Sequence, residues 1–552
     1  MSKKYIYLFG LILIAATTLR FFGNGYDAYR HLHPDERHLM MVAGRINFFD
    51  QLNPDSFAYG SLPVYFLKAV AQLSDSLLDT HFDNYDGLLI LGRRITSLID
   101  VITALVVYLL ALRLTKNRKI ALASFGTYSL MFFPTQNSNF FVVDNFVNLF
   151  FSLTMLAFLN YWQNNTYKNL SWLGLAYGLL LSSKITPIVI LPIIVIGVFI
   201  KELLSGNIKK QLVKIILNSG AKIILFVITV ILTTMIFMPY AYLKYPQFIR
   251  EVTAQTRMNS DAYVFPYTLQ YVYTTPYLFH LKQIFLWGVG PIISALILVG
   301  MLRKLLRIKQ PIRIKRILDL LNRPATYYIA AHLLFFAIIG ASAVKFMRYL
   351  LPLYPGLAIL VGAELMWLWQ NKKLRTPVRK AVVASIVLGM CLWYWAFLGI
   401  YRTDHSRIQA SEWMFANIPA GSLLATEHWD DRLPLYGGEI FQYIDLPLYE
   451  QPDDAKKWQA VNQTLDQADY IVLASNRLYG HLPKFTNCED KPRCYPLTAQ
   501  YYNDLFAEKL NFTKVAEFTN RPNLWGVEII DDNADESFTV YDHPRVIIYQ
   551  RK

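Results

Sequence analysis

Charged side chains are scarce in this chain of 552 residues, at 17% against the roughly 25% usual for soluble domains. That shortage excludes the string of ordinary soluble domains that the length alone would allow. Cysteine is scarcer still, with three in all, too few for a disulfide-built scaffold. No Gly-rich phosphate loop, HExxH or nucleophile-elbow sequence occurs. Their absence removes P-loop NTPases, HExxH metalloproteases and α/β-hydrolases. No internal repeat of the kind found in many transporters is present either.

Apolar length takes the place of charge. Hydrophobic residues make up 54% of the chain, and runs such as 5–22, 223–240 and 381–400 are nearly unbroken. Each is close to the roughly 20 residues that cross a bilayer as a helix. Spans are expected near 5–22, 96–112, 120–134, 142–161, 171–183, 186–200, 223–240, 283–302, 325–341, 349–369 and 381–400. The start, MSKK followed by an apolar stretch, lacks a clear small-x-small cleavage site and is read as a retained first helix. A net charge of +15 on a soluble protein would suggest nucleic acid. Here it sits in short loops between apolar runs, where it sets orientation, and no nucleic-acid partner is expected.

Lys and Arg collect in the loops 113–119, 201–214, 303–323 and 372–380, and at Lys3 and Lys4. The positive-inside rule places all of these in the cytoplasm. Parity then requires 171–200 to be a hairpin of two short passes, turning at Ser182, Ser183, Lys184 and Pro187. It also forbids 62–79 from crossing alone, so that segment is expected to lie in the interface. The N-terminus falls inside and the C-terminus outside. Residues 401–552 change to short alternating or apolar runs separated by Asn, Asp and Pro, the pattern of a mixed α/β domain of usual size. The expected fold class is a polytopic α-helical membrane protein of about eleven spans over 1–400. A first outer loop at 23–95 and an extracytoplasmic α/β domain at 401–552 complete it. The expected location is the plasma (inner) membrane.

Cys391 lies in an apolar run and reads as a small core residue. Cys488 and Cys494 lie close together in the tail and are expected to form a disulfide in an oxidising compartment, with free thiols and a metal site as the alternatives. A second Cys or His pair at metal spacing is missing.

The residues able to do chemistry gather on the outer side. HLHPDERH after the first span supplies His33, Asp35, Glu36 and His38. Asp144, in FFVVDNFVNLFF, heads a helix in an apolar setting. The helix dipole would favour it there, but a carboxylate at that depth is costly unless paired or facing a cavity. Arg93, Arg94, Lys184, Arg257, Lys345 and Arg348 are the outer cations. Taken singly, each is accounted for by snorkelling to headgroups. Together, acids and bases converging on one surface suit a phosphate leaving group opposite a deprotonating carboxylate.

These features resemble the GT-C superfamily, in particular the family 39-like glycosyltransferases that include protein O-mannosyltransferases and the lipid A aminoarabinose transferase. The resemblance covers about 5–370. It rests on Asp35-Glu36, on LGRR before the second span, on Asp144, on Ser183-Lys184 and on RYLLPLYP (348–355). Tyr59-Gly60-Ser61 stands where some relatives carry a charged residue. The tail, with ASEWMFANIPAGS, EHWDDRLP, SNRLYG and FTVYDHPRVIIY, is similar to tails of bacterial members of the group. The resemblance implies a GT-C-like membrane domain, a polyprenyl-phosphate-linked sugar donor, an inverting displacement, and a lipid, glycan or protein acceptor at the membrane's outer face. It implies Asp35 as general base, with Glu36 and Asp144 beside it in the catalytic set. Arg93, Arg94, Lys184, Arg257, Lys345 and Arg348 are then expected around the donor phosphate, and His33 and Tyr349 along the substrate. No cofactor is required, although His33 and His38 flank the acids and could recruit a divalent ion. A transporter or flippase, and a polysaccharide polymerase or ligase using lipid-linked donors, are the alternatives.

Overall fold

Away from water a chain satisfies its backbone within a bilayer only as helix or closed barrel, and every expected span contains helix. The computed structural model describes residues 3–205, 208–306, 314–489 and 491–552. Arg307, Lys309 and Arg313 of the third basic loop lie outside the described residues. The first helices are α1 (Lys3–Phe21), α2 (Pro34–Arg45), α3 (Leu62–Leu78), α4 (Tyr85–Thr115), α5 (Arg118–Ser129) and α6 (Phe132–Ser138). Next come α7 (Val143–Gln163), α8 (Tyr167–Ser183), α9 (Leu191–Ser205), α10 (Ile208–Phe237), α11 (Tyr240–Leu243) and α12 (Tyr245–Ser260). The last of the membrane region are α13 (Leu278–Gln283), α14 (Pro291–Leu305), α15 (Ile314–Leu321), α16 (Pro324–Ile339), α17 (Tyr354–Gln370) and α18 (Thr376–Leu398). Among the described residues seven helical stretches are long and apolar enough to cross a membrane on those grounds alone.

Three expected spans take a different form. The helix expected at 96–112 begins at Tyr85 instead, capped by the Asn84 side chain accepting from Gly87 N at 2.9 Å. It can run through Arg93 because that charge is neutralised internally. The span at 120–134 is divided between α5 and α6, with Leu130 and Met131 outside both helices. The span at 283–302 is interrupted before α14, where Gly290 takes φ +81 ahead of Pro291. Glycine is needed there for that backbone angle, and proline cannot continue the preceding hydrogen-bond ladder.

Helices α2 and α3 fill the loop between α1 and α4. Helix α3 is amphipathic: Leu62, Val64, Leu67 and Ala71 are buried, while Phe66, Leu73, Leu77 and Leu78 are exposed. Helix α8 ends just before Lys184, and the 3-10 turn Thr186–Ile190 leads from there into α9. Cys391 is a correction to the sequence reading, since it is exposed on α18 rather than set in the core.

Beyond α18 the chain builds a five-stranded sheet. Its strands are β1 (Leu423–Glu427), β2 (Gln442–Leu446), β3 (Tyr470–Leu473), β4 (Phe512–Phe518) and β7 (Val546–Arg551), in the order β2-β1-β3-β7-β4. A separate hairpin pairs β5 (Asn523–Leu524) with β6 (Val527–Glu528). YIVL of β3 is buried on both faces between parallel β1 and antiparallel β7, as an unalternating apolar strand should be. Edge strand β4 is part-buried or exposed beyond Phe512 and carries an irregularity between Lys514 and Ala516.

This domain is plugged into one end of the helix bundle by residues 535–543. Phe538 is fully buried and meets the rings of Phe132, Phe133, Trp287 and Phe397. Gln136 Nε2 donates to Phe538 O at 2.7 Å, and Tyr401 Oη to Asp542 at 2.7 Å. His543 is held between Asp542 at 2.5 Å and Asp531 at 2.9 Å. Burial alone would lower its pKa, but the two carboxylates outweigh that and push it up to about 10.

Cys488 and Cys494 are joined in a disulfide. The loop it closes is short, so the chain-entropy gain is only about 2 kcal/mol. Cys488→Ser is therefore expected to loosen the surrounding loop without unfolding the domain. Hydrogen exchange should rise near 486–496 and stay unchanged in β3 and β7; a collapse of protection across the sheet would contradict this.

Candidate active site

The site begins at the N-terminus of α2. His33 caps the helix, its Nδ1 accepting from Asp35 N at 3.2 Å, and Pro34 occupies the first turn, where a missing N–H costs nothing. Asp35 and Glu36 are consecutive on a helix, so their side chains diverge by about 100°. The two acids expected to act together are consequently separated. Asp35 looks into a cavity, while Glu36 is fully buried beneath it.

Asp35 Oδ2 accepts from Arg348 Nη2 at 2.7 Å and from Tyr59 Oη at 3.2 Å. Arg348 Nε lies 3.7 Å from Asp144 Oδ2, and Lys184 Nζ donates to Asp144 Oδ1 at 2.9 Å. The result is an alternating row, Asp35–Arg348–Asp144–Lys184. Four distant segments bring it together: α2, the 3-10 turn Met347–Leu353, the first turn of α7 and the end of α8. Lys184 also lies 4.3 Å from the centre of the Tyr349 ring. Gly60 lets the loop bearing Tyr59 reach this row, because a Cβ there would meet Ser182 O at 2.0 Å.

Burial alone would raise the Asp35 carboxyl, but Arg348, with the Tyr59 hydroxyl, outweighs it and holds it below the usual range. His33 packs against the Tyr541 ring at 3.8 Å between centroids, and burial pushes its pKa down to about 3, so it is neutral. Arg348 Nη1 is buried without a hydrogen-bond partner. A guanidinium N–H without an acceptor is costly, so Nη1 has donor capacity left for an acceptor beside it.

Not every expected residue joins this group. Arg93 is enclosed by Glu36 at 2.7 Å and Asp27 at 2.6 Å, all three with no exposure, and Glu36 also accepts from Phe141 N at 2.7 Å. Glu36 and Arg93 therefore form a closed internal cluster away from the cavity. Arg94 is exposed near the Phe82 ring, and Arg257 is exposed on α12. Lys345 is buried and donates to Ala343 O at 2.8 Å. It lines a neighbouring depression with Asn259, Tyr271 and Lys491, not the one containing Asp35. His38 lines the Asp35 cavity and meets Ser56 Oγ at 3.2 Å. Among the described residues no three His, Cys, Asp or Glu side chains gather as a metal site would require.

The cavity at Asp35 has a volume of about 420 Å³, and its lining includes residues that sequence reasoning missed: Tyr59, Tyr267, Trp429, Arg477 and Tyr541. The last three belong to the EHWDDRLP, SNRLYG and FTVYDHPRVIIY stretches of the tail. Arg477 is held by Glu536 at 2.9 Å and by Trp429 O at 3.1 Å. Arg37 reaches across to Asp431 at 2.9 Å, fastening α2 to the tail. Membrane-domain residues thus form one side of the cavity and the tail domain the other. Beside Tyr59 and Lys184 lies a smaller slot of mixed lining, apolar at Phe57, Leu181, Ile185, Met238, Phe248 and Val252 and polar at Thr186, Gln255, Thr256 and Asn259.

Residues 91–237 match the family model described as dolichyl-phosphate-mannose-protein mannosyltransferase. That stretch contains Asp144 and Lys184 but neither Asp35 nor Arg348. A search of curated proteins found no match. Among solved structures, the Archaeoglobus fulgidus oligosaccharyltransferase tethered with an acceptor peptide is 12% identical, with 100% of this chain and 89% of that one covered and a TM-score of 0.50. ArnT from Cupriavidus metallidurans bound to undecaprenyl phosphate is 13% identical, with 99% and 98% covered and a TM-score of 0.49. The S. cerevisiae Pmt1-Pmt2 complex bound to the sugar donor is 16% identical over 45% of this chain and 34% of that chain, with a TM-score of 0.33. The family model and these structures all belong to the GT-C superfamily. At 12% identity and a TM-score of 0.50 the likeness to the oligosaccharyltransferase is one of fold alone, and a GT-C-like helical membrane domain with a C-terminal α/β region is the fold found.

Proposed function

We propose that the chain is a membrane glycosyltransferase. It moves a sugar from a polyprenyl-phosphate carrier to an acceptor, with inversion, in the cavity built on Asp35 and Arg348. The observation that carries this reading is the alternating acid–base row, with Arg348 Nη1 left without a hydrogen-bond partner, beside a slot walled in part by Phe57, Phe248 and Val252. The family description attached to residues 91–237, which names a dolichyl-phosphate-linked sugar, supports the same chemistry.

In this mechanism Arg348 and Lys184 bind the donor phosphate, and the slot beside Phe248 takes the start of the polyprenyl chain. Asp144 positions both cations. The acceptor enters from the side of the tail domain, with its hydroxyl or amine toward Asp35. As its oxygen or nitrogen bonds to the anomeric carbon, Asp35 takes its proton. The carbon–oxygen bond to phosphate breaks, and the electron pair leaves with the phosphate, where the two cations stabilise it. Attack opposite the leaving group inverts the anomeric centre. Tyr349 shapes a wall of the cavity, whereas His33, expected along the substrate, does not line it: it is buried behind, capping α2 and packing on Tyr541.

Arg348→Ala removes the free donor and the charge that faces the leaving group. Loss of one such group costs about 10²–10³-fold in rate, and donor affinity should fall with it. Transfer and binding of a polyprenyl-phosphate sugar, measured on the same preparation, test this. Unchanged donor affinity would remove Arg348 from the phosphate site.

The orientation follows the loop charges, with the N-terminus and basic loops in the cytoplasm and the cavity and tail outside. Cysteine labels at Ser56 and Asn476 should react in intact cells, and a label at Asn117 only after permeabilisation. A label at Gln310, expected on the same side as Asn117, lies outside the described residues. Reaction of the Asn117 label from outside would reverse the assignment.

A further inference from the structure

The hairpin of β5 and β6 turns through Trp525 and Gly526, at φ +53 and +91. Two successive positive angles make a tight two-residue turn of the kind that suits a twisted hairpin. Gly526 N donates to Asn523 Oδ1 at 2.8 Å, which braces the turn. One side of this segment is spoken for. Ile529 packs onto the core of the membrane domain, and β5 lies against α18 and the turn Gly399–Arg402 that follows it. The other side is bare: Trp525, Val527 and Ile530 are 80%, 70% and 64% exposed. Three large apolar side chains on a braced hairpin are more than scattered surface residues require, and a contiguous patch of this kind calls for a partner.

The place of the hairpin selects that partner. Helix α18 has 23 residues, about 34 Å at 1.5 Å per residue, against a hydrocarbon core of about 30 Å. Its first end carries Arg375, Arg379 and Lys380, so its last turn reaches the opposite polar boundary. The hairpin lies at that last turn. Along α18 Leu388 and Trp395, seven residues apart on one side of the helix, are exposed apolar residues. Arg402 stacks on Trp395 at 3.7 Å and donates to its carbonyl at 3.1 Å, the arrangement of an aromatic and a cation at headgroup level. The bare hairpin tip continues this apolar surface from the membrane domain onto the tail domain. The segment carries one charge of its own, the exposed Glu528, which lies 3.7 Å from Arg521; Arg521 also pairs with Asp532 at 2.8 Å.

We propose that the Trp525–Ile530 tip enters the bilayer leaflet on the side of the tail domain. It acts as a second attachment that holds the domain against the membrane surface. Such an anchor would fix the height of Trp429, Arg477 and Tyr541 over the Asp35 cavity. The insertion itself depends only on the membrane fold and not on the transfer reaction.

The test places a spin label at Trp525→Cys, in a Cys391→Ser background, on full-length protein in phospholipid nanodiscs. Labels at Leu388 and Asn417 serve as lipid and water references. Collision with oxygen should exceed collision with a nickel chelate at position 525, as at 388. Equal access to both reagents, as at 417, would overturn the proposal. Exclusion of both would also overturn it, because another protein surface, such as a second copy, would then cover the tip. Trp525→Phe provides an independent reading without a label. In brominated lipid, the quenched part of the tryptophan emission should shrink in this variant. An unchanged quenched part would count against insertion.

Discussion

Asp35→Asn is expected to lower transfer by about 10²–10⁴-fold, the range for loss of a positioned general base, while donor affinity stays close to that of the unaltered protein. The side chain keeps its shape and can still face Arg348, so binding and catalysis separate. The pH dependence gives a second signature. Burial would raise the Asp35 carboxyl, but Arg348 and Tyr59 hold it below the ordinary carboxylate range. A lowered pKa keeps the base ionised as pH falls through that range. Transfer should therefore decline only below it. Removing Arg348 removes the main opposing charge, so the residual activity of Arg348→Ala should begin to fall at higher pH. Near-normal transfer by Asp35→Asn would exclude Asp35 as base and move the role to Asp144, the other acid in the row.

Arg93→Ala is the second large effect, and it concerns stability rather than the donor. Its guanidinium forms two-pronged contacts with both Asp27 and Glu36 where no solvent reaches. Removing one partner of a buried ionic group typically costs about 3–5 kcal/mol, because the other charges stay buried without compensation. Two carboxylates would be stranded here. The variant should unfold at markedly lower temperature or detergent stress, and the fraction that remains folded should bind donor normally. Normal stability with lost donor binding would return Arg93 to the phosphate site that its sequence position suggested.

The contrast between Asp35 and Glu36 shows where sequence reasoning stops. Their adjacency just after a span marked the region, as Asp144 and Lys184 marked the ends of two further helices. Which way each side chain turns depends on the phase of α2, and that is set by the His33 cap and the packing beneath it. Arg93 and Arg94 illustrate the same point. Both precede the apolar stretch, yet one is enclosed by Asp27 and Glu36 and the other faces outward. Asp27, 66 residues away from Arg93, gave no local sign of that pairing. Lys345 and Arg348 stand three positions apart and were expected in one phosphate site, but the turn around Phe346 sends them to different cavities. The spans were legible because hydrophobic length is a strong local signal. Their breaks at Leu130–Met131 and Gly290–Pro291 were less so, since apolarity continues through them. Least legible was the tail's share of the cavity. Trp429, Arg477 and Tyr541 sit in recognisable stretches, but their convergence over Asp35 depends on how 535–543 plugs into the bundle.

In the proposed mechanism the donor's phosphate sits on Arg348 with Asp35 facing it. That placement is tested most directly by locating the phosphate. Purified protein in nanodiscs would be given polyprenyl phosphate, the leaving group of the reaction, and its structure determined by electron microscopy. The mechanism predicts phosphate density in hydrogen-bonding contact with Arg348 Nη1 and Lys184 Nζ, with the lipid chain running along the slot by Phe248 and Val252. Phosphate density at Lys345, with Arg348 still bound only to Asp35 and Asp144, would contradict it.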